Sequence, residues 1–219
     1  MAERGVLWDM DGVLVDTGEF HFQAWEGLLP EYGLFFNRQF FNATFGMNNA
    51  GIVKTLLGRE PDPRLVEEVA ARKEERFRSF VRGHVVLLPG AGQWLERLKA
   101  DGWRQAVASS APVENIHAIL GSLGLDQFFD ALVSGADLPG KPESDLFLSG
   151  AKAIKSPPKR CVVVEDAIAG VEAAKRGGMK CIAVTTTNPA EALLSADVVV
   201  EGLHLLPLDA FDRLVAATF

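Results

Sequence analysis

The chain has 219 residues, of which 48% are hydrophobic and 23% are charged, and its formal net charge is −7. This length and composition are typical of a globular protein with one large domain, or with one domain that carries an insertion. The acidic balance and the lack of a Lys/Arg block argue against a nucleic-acid partner, and no apolar run approaches the roughly 18 residues of a membrane span.

The first predicted strand, residues 5–8, ends on two aspartates, Asp9 and Asp11, with Gly12 directly after them. Residues two apart in a strand point to the same side, so both carboxylates could share one face. Open α/β sheets bind ligands at the carboxyl ends of their strands. Two crowded carboxylates repel each other, and a divalent cation such as magnesium commonly offsets that repulsion.

The segment 17–82 differs from the rest of the chain, because its patterns are helical throughout. Helices are predicted there over residues 19–29, 50–57 and 64–82. An all-helical block after the first strand predicts an inserted cap domain, residues 17–82, on a core of residues 1–16 and 83–219. Asp16 is expected to cap the first helix of this block or to lie at its hinge.

Beyond the helical block, apolar runs alternate with helical patterns. The predicted strands cover residues 105–109, 131–134, 161–165, 181–184 and 197–200. The predicted helices cover residues 92–100, 113–123, 144–154 and 168–176. This alternation predicts an α/β fold: a Rossmann-like, doubly wound parallel sheet with helices on both faces.

Three further stretches bring polar groups to the same end of the sheet. One strand ends on Ser109 and Ser110, whose hydroxyl and N–H groups can hold phosphate oxygens. Lys141 lies in the loop GKP just ahead of a helix, and another strand ends on a second acid pair, Glu165 and Asp166. Aspartates, hydroxyls, one lysine and further acids at one sheet edge suit magnesium-dependent phosphoryl transfer to a carboxylate.

The chain resembles the haloacid dehalogenase superfamily, in the β-phosphoglucomutase-like branch with a helical cap. Four motifs appear in order, as DMDGVLVD, ASS, GKP and VVVEDAIAG. The resemblance implies that Asp9 is the nucleophile and Asp11 the general acid/base. It also implies that Ser109 binds phosphate and that Lys141 stabilises the charge on Asp9 and phosphate. Ser110 is taken as a second phosphate-binding candidate.

The same resemblance implies that Mg²⁺ is the cofactor. The ion would be held by Asp9, by the carbonyl of Asp11 and by Asp166, with Glu165 at the metal or just behind it. The implied partner is a small phosphorylated metabolite.

Two cap residues resemble positions of the mutases in this branch. His21 would couple cap closure to Asp11, and Lys73 would reach the site; a satisfied helix histidine and a solvated helix lysine are the open alternatives. The chain departs from the mutase pattern at the cap glycine, where Phe45 replaces a lysine and Asn49 replaces an arginine. A bisphosphorylated intermediate would thereby lose its bidentate clamp.

Three functional hypotheses follow. The first and favoured one is a magnesium-dependent phosphatase acting on a small phosphate monoester, with a sugar phosphate as one candidate. The second is a phosphoglucomutase, which His21 and Lys73 support and Phe45 and Asn49 oppose. The third is a non-enzymatic phospho-acceptor similar to a response-regulator receiver, which would need neither Asp11 nor a cap.

The two cysteines, Cys161 and Cys181, each precede or begin an apolar run and predict buried free thiols, as a reducing cytoplasm favours. Asp9 and Asp11 interrupt the first apolar stretch, so it does not match a signal peptide. A cytoplasmic monomer is the expectation.

Overall fold

Six parallel strands form a single sheet in the computed structural model, which describes residues 3–216. The strands are β1 (Gly5–Trp8), β2 (Arg104–Ser109), β3 (Ala131–Ser134), β4 (Cys161–Glu165), β5 (Lys180–Val184) and β6 (Val198–Val200). Their order in the sheet is β3-β2-β1-β4-β5-β6. This is the doubly wound order expected of a Rossmann-like sheet, so the predicted fold class is confirmed.

The helices lie on both faces of the sheet and in the segment between β1 and α5. They are α1 (Gly18–Leu28), α2 (Arg38–Thr44), α3 (Asn49–Leu57), α4 (Pro63–Val81), α5 (Ala91–Ala100), α6 (Val113–Leu123), α7 (Asp145–Ala153), α8 (Ile168–Arg176) and α9 (Ala210–Ala216). Helices α2 and α9 were not predicted individually, because seven residues are too few to show a clear helical period. Among residues 3–216, no helix combines the length and the apolar character that crossing a membrane requires.

The two faces of the sheet are covered by different helices, because successive strand residues point to opposite sides. Val6 and Trp8 of β1 pack in the hydrophobic cluster that contains residues of α5, α6 and α9. Leu7 packs in the cluster on the other face, with residues of α7 and α8. All four residues of β1 are buried, as expected of a central parallel strand.

The strand register brings the polar strand ends together. Trp8 of β1 pairs with Val164 of β4, and β1 also pairs with β2 on its other side. Asp9 therefore lies level with Glu165, and Ser109 ends the strand on the other side of β1. The crevice at the switch between β1 and β4 is the place where sheets of this order bind ligands.

Helices α1 to α4 bury a separate apolar cluster of their own. Its buried members are Phe22, Trp25, Leu28, Leu29, Phe41, Ile52, Val53 and Val69. An independent apolar cluster is what a cap folded on the core requires. The division at residues 16/17 and 82/83 stays a prediction, and the core residues 1–2 and 217–219 lie outside the described part.

The first cap helix begins differently from the expectation. Thr17, not Asp16, is the N-cap residue of α1, and no side chain accepts a capping hydrogen bond there. Asp16 therefore does not cap α1, and its expected position at the hinge stays a prediction. The Thr17 hydroxyl is directed instead to Asp11.

Candidate active site

Asp9 lies directly after β1 and is 3% exposed. Its backbone N–H donates to the Val164 carbonyl at 3.0 Å, which ties it to the neighbouring strand. The Lys141 ammonium donates to Asp9 Oδ1 at 3.0 Å and to Glu165 Oε1. One buried lysine therefore joins the acids at the ends of β1 and β4. Burial would lower the pKa of Lys141, but Asp9 and Glu165 raise it well above its usual value.

Glu165 is fully buried, and both of its carboxylate oxygens have partners. Oε1 accepts from Lys141, and Oε2 accepts from the backbone N–H groups of Asp166 and Ala167, each at 2.7 Å. A Cβ at Gly170 would lie 1.9 Å from Oε1, so only a glycine leaves room for this carboxylate against α8. Glu165 is thus fixed where it orients Lys141.

Asp166 is fully buried and keeps one carboxylate oxygen free within the described part of the chain. Its Oδ2 accepts from the Thr187 hydroxyl at 2.6 Å, whereas Oδ1 has no hydrogen-bond partner. Gly12 has a φ of +84°, and a Cβ there would lie 2.1 Å from Asp166 Oδ2. Gly12 is needed both for this backbone conformation and for the close approach to Asp166.

Together, these acids could hold a metal ion. One oxygen from each of Asp9, Glu165 and Asp166 lies within 4.8 Å of the others. Burial raises the pKa of Asp9 to about 7, against the lowering effect of Lys141. Burial also raises the pKa of Asp166 well above its usual value. Three buried carboxylates share one ammonium, so a divalent cation would offset an excess of negative charge, and Asp166 Oδ1 is an available ligand.

Asp11 contacts the cap through two side chains. Its Oδ1 accepts from the Thr17 hydroxyl and lies 3.4 Å from His21 Nε2. The Lys73 ammonium, which can only donate, lies 2.8 Å from His21 Nδ1, so the ring proton sits on Nε2 and faces Asp11. The His21 ring stacks on Phe77 at 3.8 Å. His21 therefore links the core acid to Lys73 of α4.

These contacts set the charge state of the pair. Burial alone would raise the pKa of Asp11, but the contacts with His21 and Thr17 outweigh it and lower the pKa. Burial, with a further contribution from Lys73, lowers the pKa of His21. At neutral pH Asp11 is a carboxylate and His21 a neutral imidazole.

The two serines after β2 have different surroundings. Ser109 is buried, and its Oγ accepts from the Ala111 N–H at 3.1 Å, which leaves its hydroxyl proton available. The Ser110 hydroxyl donates to the Gly46 carbonyl in the cap at 2.9 Å. Both serines line the cavity described below, but the hydroxyl proton of Ser110 is already engaged.

The cap presents an ion pair to the site. Lys73 and Glu74 of α4 are 2% and 4% exposed, and Lys73 Nζ lies 2.8 Å from Glu74 Oε1. The same oxygen accepts from Asn49 Nδ2 at 2.8 Å, and Oε2 accepts from Asn115 Nδ2 of α6 at 2.5 Å. The alternative of a solvated Lys73 is therefore wrong, because the lysine is buried beside a carboxylate that also bridges cap and core.

Residues of cap and core line a cavity of about 50 Å³. Its polar lining consists of Asp9, Asp11, His21, Asn49, Lys73, Glu74, Ser109 and Ser110. Its apolar lining includes Trp25, Phe41, Phe45, Met47 and Ile52. Asp9, Asp11 and the two serines of the core thus face one cavity with the cap candidates, whereas Lys141 lines a neighbouring cleft between cap and core.

Four contributors to this site were not predicted from the sequence: Thr17, Glu74, Asn115 and Thr187. Asn115 carried a signal, because it is a single amide on the apolar, buried face of α6. Glu74 lies in the charged run RKEER, a pattern typical of a solvated helix face, so the sequence did not indicate its burial. The two threonines lie in loops, where no periodic pattern marks burial.

Comparison with known proteins finds similar chains over most of the length. The family described as haloacid dehalogenase-like hydrolase matches residues 3–178. A β-phosphoglucomutase of Bacillus subtilis is 32% identical over 214 residues, which cover 94% of this chain and 92% of that protein. Both findings extend across the motifs at the sheet edge and the cap.

A chloroplastic 5-amino-6-(5-phospho-D-ribitylamino)uracil phosphatase of Arabidopsis thaliana is 31% identical over 207 residues, which cover 93% of this chain. The match spans only 56% of the plant protein's length. The solved β-phosphoglucomutase of Clostridium difficile superposes with a TM-score of 0.87, covering 98% of both chains at 23% identity. At that identity the superposition supports the fold alone.

Proposed function

Because the chain belongs to the haloacid dehalogenase-like hydrolase family, we propose that it is a magnesium-dependent phosphatase of a small phosphate monoester, such as a sugar phosphate. The observation that carries this proposal is the position of Asp9, a buried carboxylate that Lys141 fixes at the floor of a cap-covered cavity. Ser109, with its free hydroxyl proton, would bind a phosphate oxygen there. Ser110 would contribute only after releasing Gly46.

The reaction would take place in two steps. A carboxylate oxygen of Asp9 attacks phosphorus, the bond from phosphorus to the leaving oxygen breaks, and Asp11 donates a proton to that oxygen. Water then attacks the aspartyl-phosphate and gives a proton to Asp11, and the bond between Asp9 and phosphorus breaks. Lys141 offsets the negative charge that Asp9 and the phosphoryl group share during both steps.

The resting charge state of Asp11 suits the second step. As a carboxylate with a lowered pKa, it can accept the proton of the attacking water. The first step needs the protonated form, and the negative charge of a bound phosphate would raise the proton affinity of Asp11. His21 and Thr17 would keep the carboxyl group oriented through both steps.

The residues at the sheet edge fit the proposed cofactor. Asp9, Asp166 and the carbonyl of Asp11 would hold Mg²⁺, while Glu165, whose oxygens are occupied by Lys141 and two backbone N–H groups, would lie behind it. When bound, Mg²⁺ offsets the charge of the carboxylates and of the transferred phosphoryl oxygens.

A phosphoglucomutase is the second candidate, and the contact chain from Lys73 through His21 to Asp11 favours it. The cap lining opposes it, because Phe45 and Asn49 stand where the mutase pattern has two cations. A non-enzymatic phospho-acceptor is disfavoured, because the cap covers Asp9 and would obstruct a protein phosphodonor.

The experiment is a phosphate-release assay on a panel of monoesters, including sugar and aryl phosphates, with magnesium and with EDTA. Beside it, a coupled assay measures conversion of β-glucose 1-phosphate, primed with a bisphosphate, to glucose 6-phosphate. We expect magnesium-dependent phosphate release and little glucose 6-phosphate. Formation of glucose 6-phosphate much faster than phosphate would overturn the phosphatase in favour of the mutase.

A further inference from the structure

The ammonium of Lys73 already has partners within the protein. It lies 2.8 Å from His21 Nδ1 and 2.8 Å from Glu74 Oε1, and the ring centroids of Trp25 and Phe77 lie 5.4 and 5.1 Å away. Among the described residues that line the cavity, Lys73 is the single lysine or arginine. A ligand anion in the cavity therefore meets no uncommitted cation on the cap side.

Glu74 is held in place from three directions. In addition to Lys73, its carboxylate accepts from Asn49 of α3 and from Asn115 of α6. Burial would raise the pKa of Glu74, but Lys73 and His21 outweigh it and lower the pKa, so the group is ionised at neutral pH. A fixed, buried carboxylate is thus part of the cavity wall.

One arginine of α4 contacts Asn115 rather than this carboxylate. Arg78, one turn after Glu74, donates to Asn115 Oδ1 at 3.0 Å; it does not line the cavity but lines a neighbouring cleft, which Glu74 and Asn49 also line. The remaining cap lining is apolar or neutral, with Trp25 and Phe45 among its members. The cap side of the cavity therefore carries no net positive charge, since Lys73 and Glu74 cancel and His21 is neutral.

We propose that Glu74 determines specificity: by neutralising Lys73, it restricts the enzyme to phosphate monoesters whose leaving group carries no second anionic group. The proposal rests on the proposed phosphatase function and adds its substrate class. A second phosphate near Lys73 would face the Glu74 carboxylate and would have to displace it from a buried ion pair. An uncharged sugar ring requires no such displacement.

Binding measurements test this specificity without turnover. The protein used carries Asp9→Asn and is otherwise unchanged. Calorimetry with magnesium compares glucose 6-phosphate with glucose 1,6-bisphosphate. We expect the bisphosphate to bind no more tightly than the monophosphate. In the Glu74→Gln variant, the bisphosphate alone should gain about 10- to 100-fold in affinity, as one charge-assisted hydrogen bond to Lys73 contributes.

Two variants serve as controls. Glu75→Gln removes an exposed carboxylate from the next position of the same helix and should leave both affinities unchanged. Glu74→Asp keeps the charge and should retain the preference of the parent protein.

The proposal is overturned if the parent protein already binds the bisphosphate at least tenfold more tightly, a result that does not need a folded Glu74→Gln variant. It is also overturned if Glu74→Gln changes both affinities equally. Neither result bears on hydrolysis, because phosphate release by the unmodified enzyme is measured separately; a lack of release would instead refute the proposed function.

Discussion

The core side and the cap side of the cavity are both buried and charged, yet they use their charges differently. On the core side, Asp9 and Asp166 accompany Lys141 and Glu165 in a cluster with excess negative charge, which keeps one Asp166 oxygen unpartnered. On the cap side, Lys73 and Glu74 pair with each other.

The difference indicates that the two sides have different functions. An unbalanced cluster attracts a divalent cation, because the cation relieves the repulsion between the carboxylates, and a bound cation would in turn attract a phosphate. The Lys73–Glu74 pair is already neutral and needs no further ion. Its proposed role is to limit which leaving groups fit. Substitutions on the core side should therefore abolish chemistry, whereas substitutions on the cap side should change selectivity or the stability of the closed state.

The largest effect is expected from Asp9→Asn, which removes the proposed nucleophile from the core cluster. Phosphate release should fall to background with every monoester and should not recover with added magnesium. Asp16→Asn is the matched control, because this exposed acid lies in the same segment and should leave the rate unchanged. Normal turnover by the Asp9→Asn variant would refute the role proposed for Asp9 on the core side.

Asp11→Asn should follow, with a loss of about 10²- to 10⁴-fold for sugar phosphates, the usual contribution of general acid/base catalysis. Aryl phosphates need less proton donation, so single-turnover phosphorylation of Asp9 by them should be affected less. An equal loss for both kinds of leaving group would contradict the role of Asp11 as the acid.

Gly12→Ala tests how closely the core cluster is packed, with Gly58→Ala as its control. Both glycines have positive φ, at +84° and +62°, so each alanine should lower the free energy of unfolding by about 1–2 kcal/mol. A Cβ at position 12 also collides with Asp166, whereas nothing lies within 4 Å of one at position 58. Denaturant unfolding should show a loss of stability in both variants. Only Gly12→Ala should also lose phosphate release. Similar activity in the two variants would mean that Asp166 can move without consequence.

The smallest effect on activity is expected from Asn115→Ala, at the core residue that contacts the ion pair of the cap. This change leaves Glu74 Oε2 without its partner from α6 and should lower the free energy of unfolding by about 1–3 kcal/mol. Asn42→Ala, at an exposed position of α2, should change it by less than about 0.5 kcal/mol. Equal unfolding curves for the two variants would show that the bridge between Glu74 and Asn115 adds no stability.

The same contrast explains what the sequence could predict. Buried parallel strands are short, nearly continuous apolar runs, so β1 and β4 were recognisable, and the acids that end them were placed at one sheet edge. Lys141 is 132 positions from Asp9, and the resemblance to the family placed it in the site; the structure adds its contact with Glu165.

The cap side could not be predicted in this way. In the run RKEER, charged residues occupy both the buried and the exposed sides of α4, so no apolar period shows that Lys73 and Glu74 face inward while Glu75 faces solvent. Their burial depends on partners from other helices, Asn49 and Asn115, and such pairings are properties of the tertiary structure.

The small volume of the cavity has a consequence for the rate of turnover. At about 50 Å³ it is far smaller than the roughly 300–1,000 Å³ of sites that hold small organic ligands. Release of Gly46 by Ser110 and movement of the cap away from the sheet would give a larger substrate the room it needs. If the proposed phosphatase opens its cap in this way in each cycle, a movement of the microsecond-to-millisecond class, friction from the solvent should limit turnover of its best substrates.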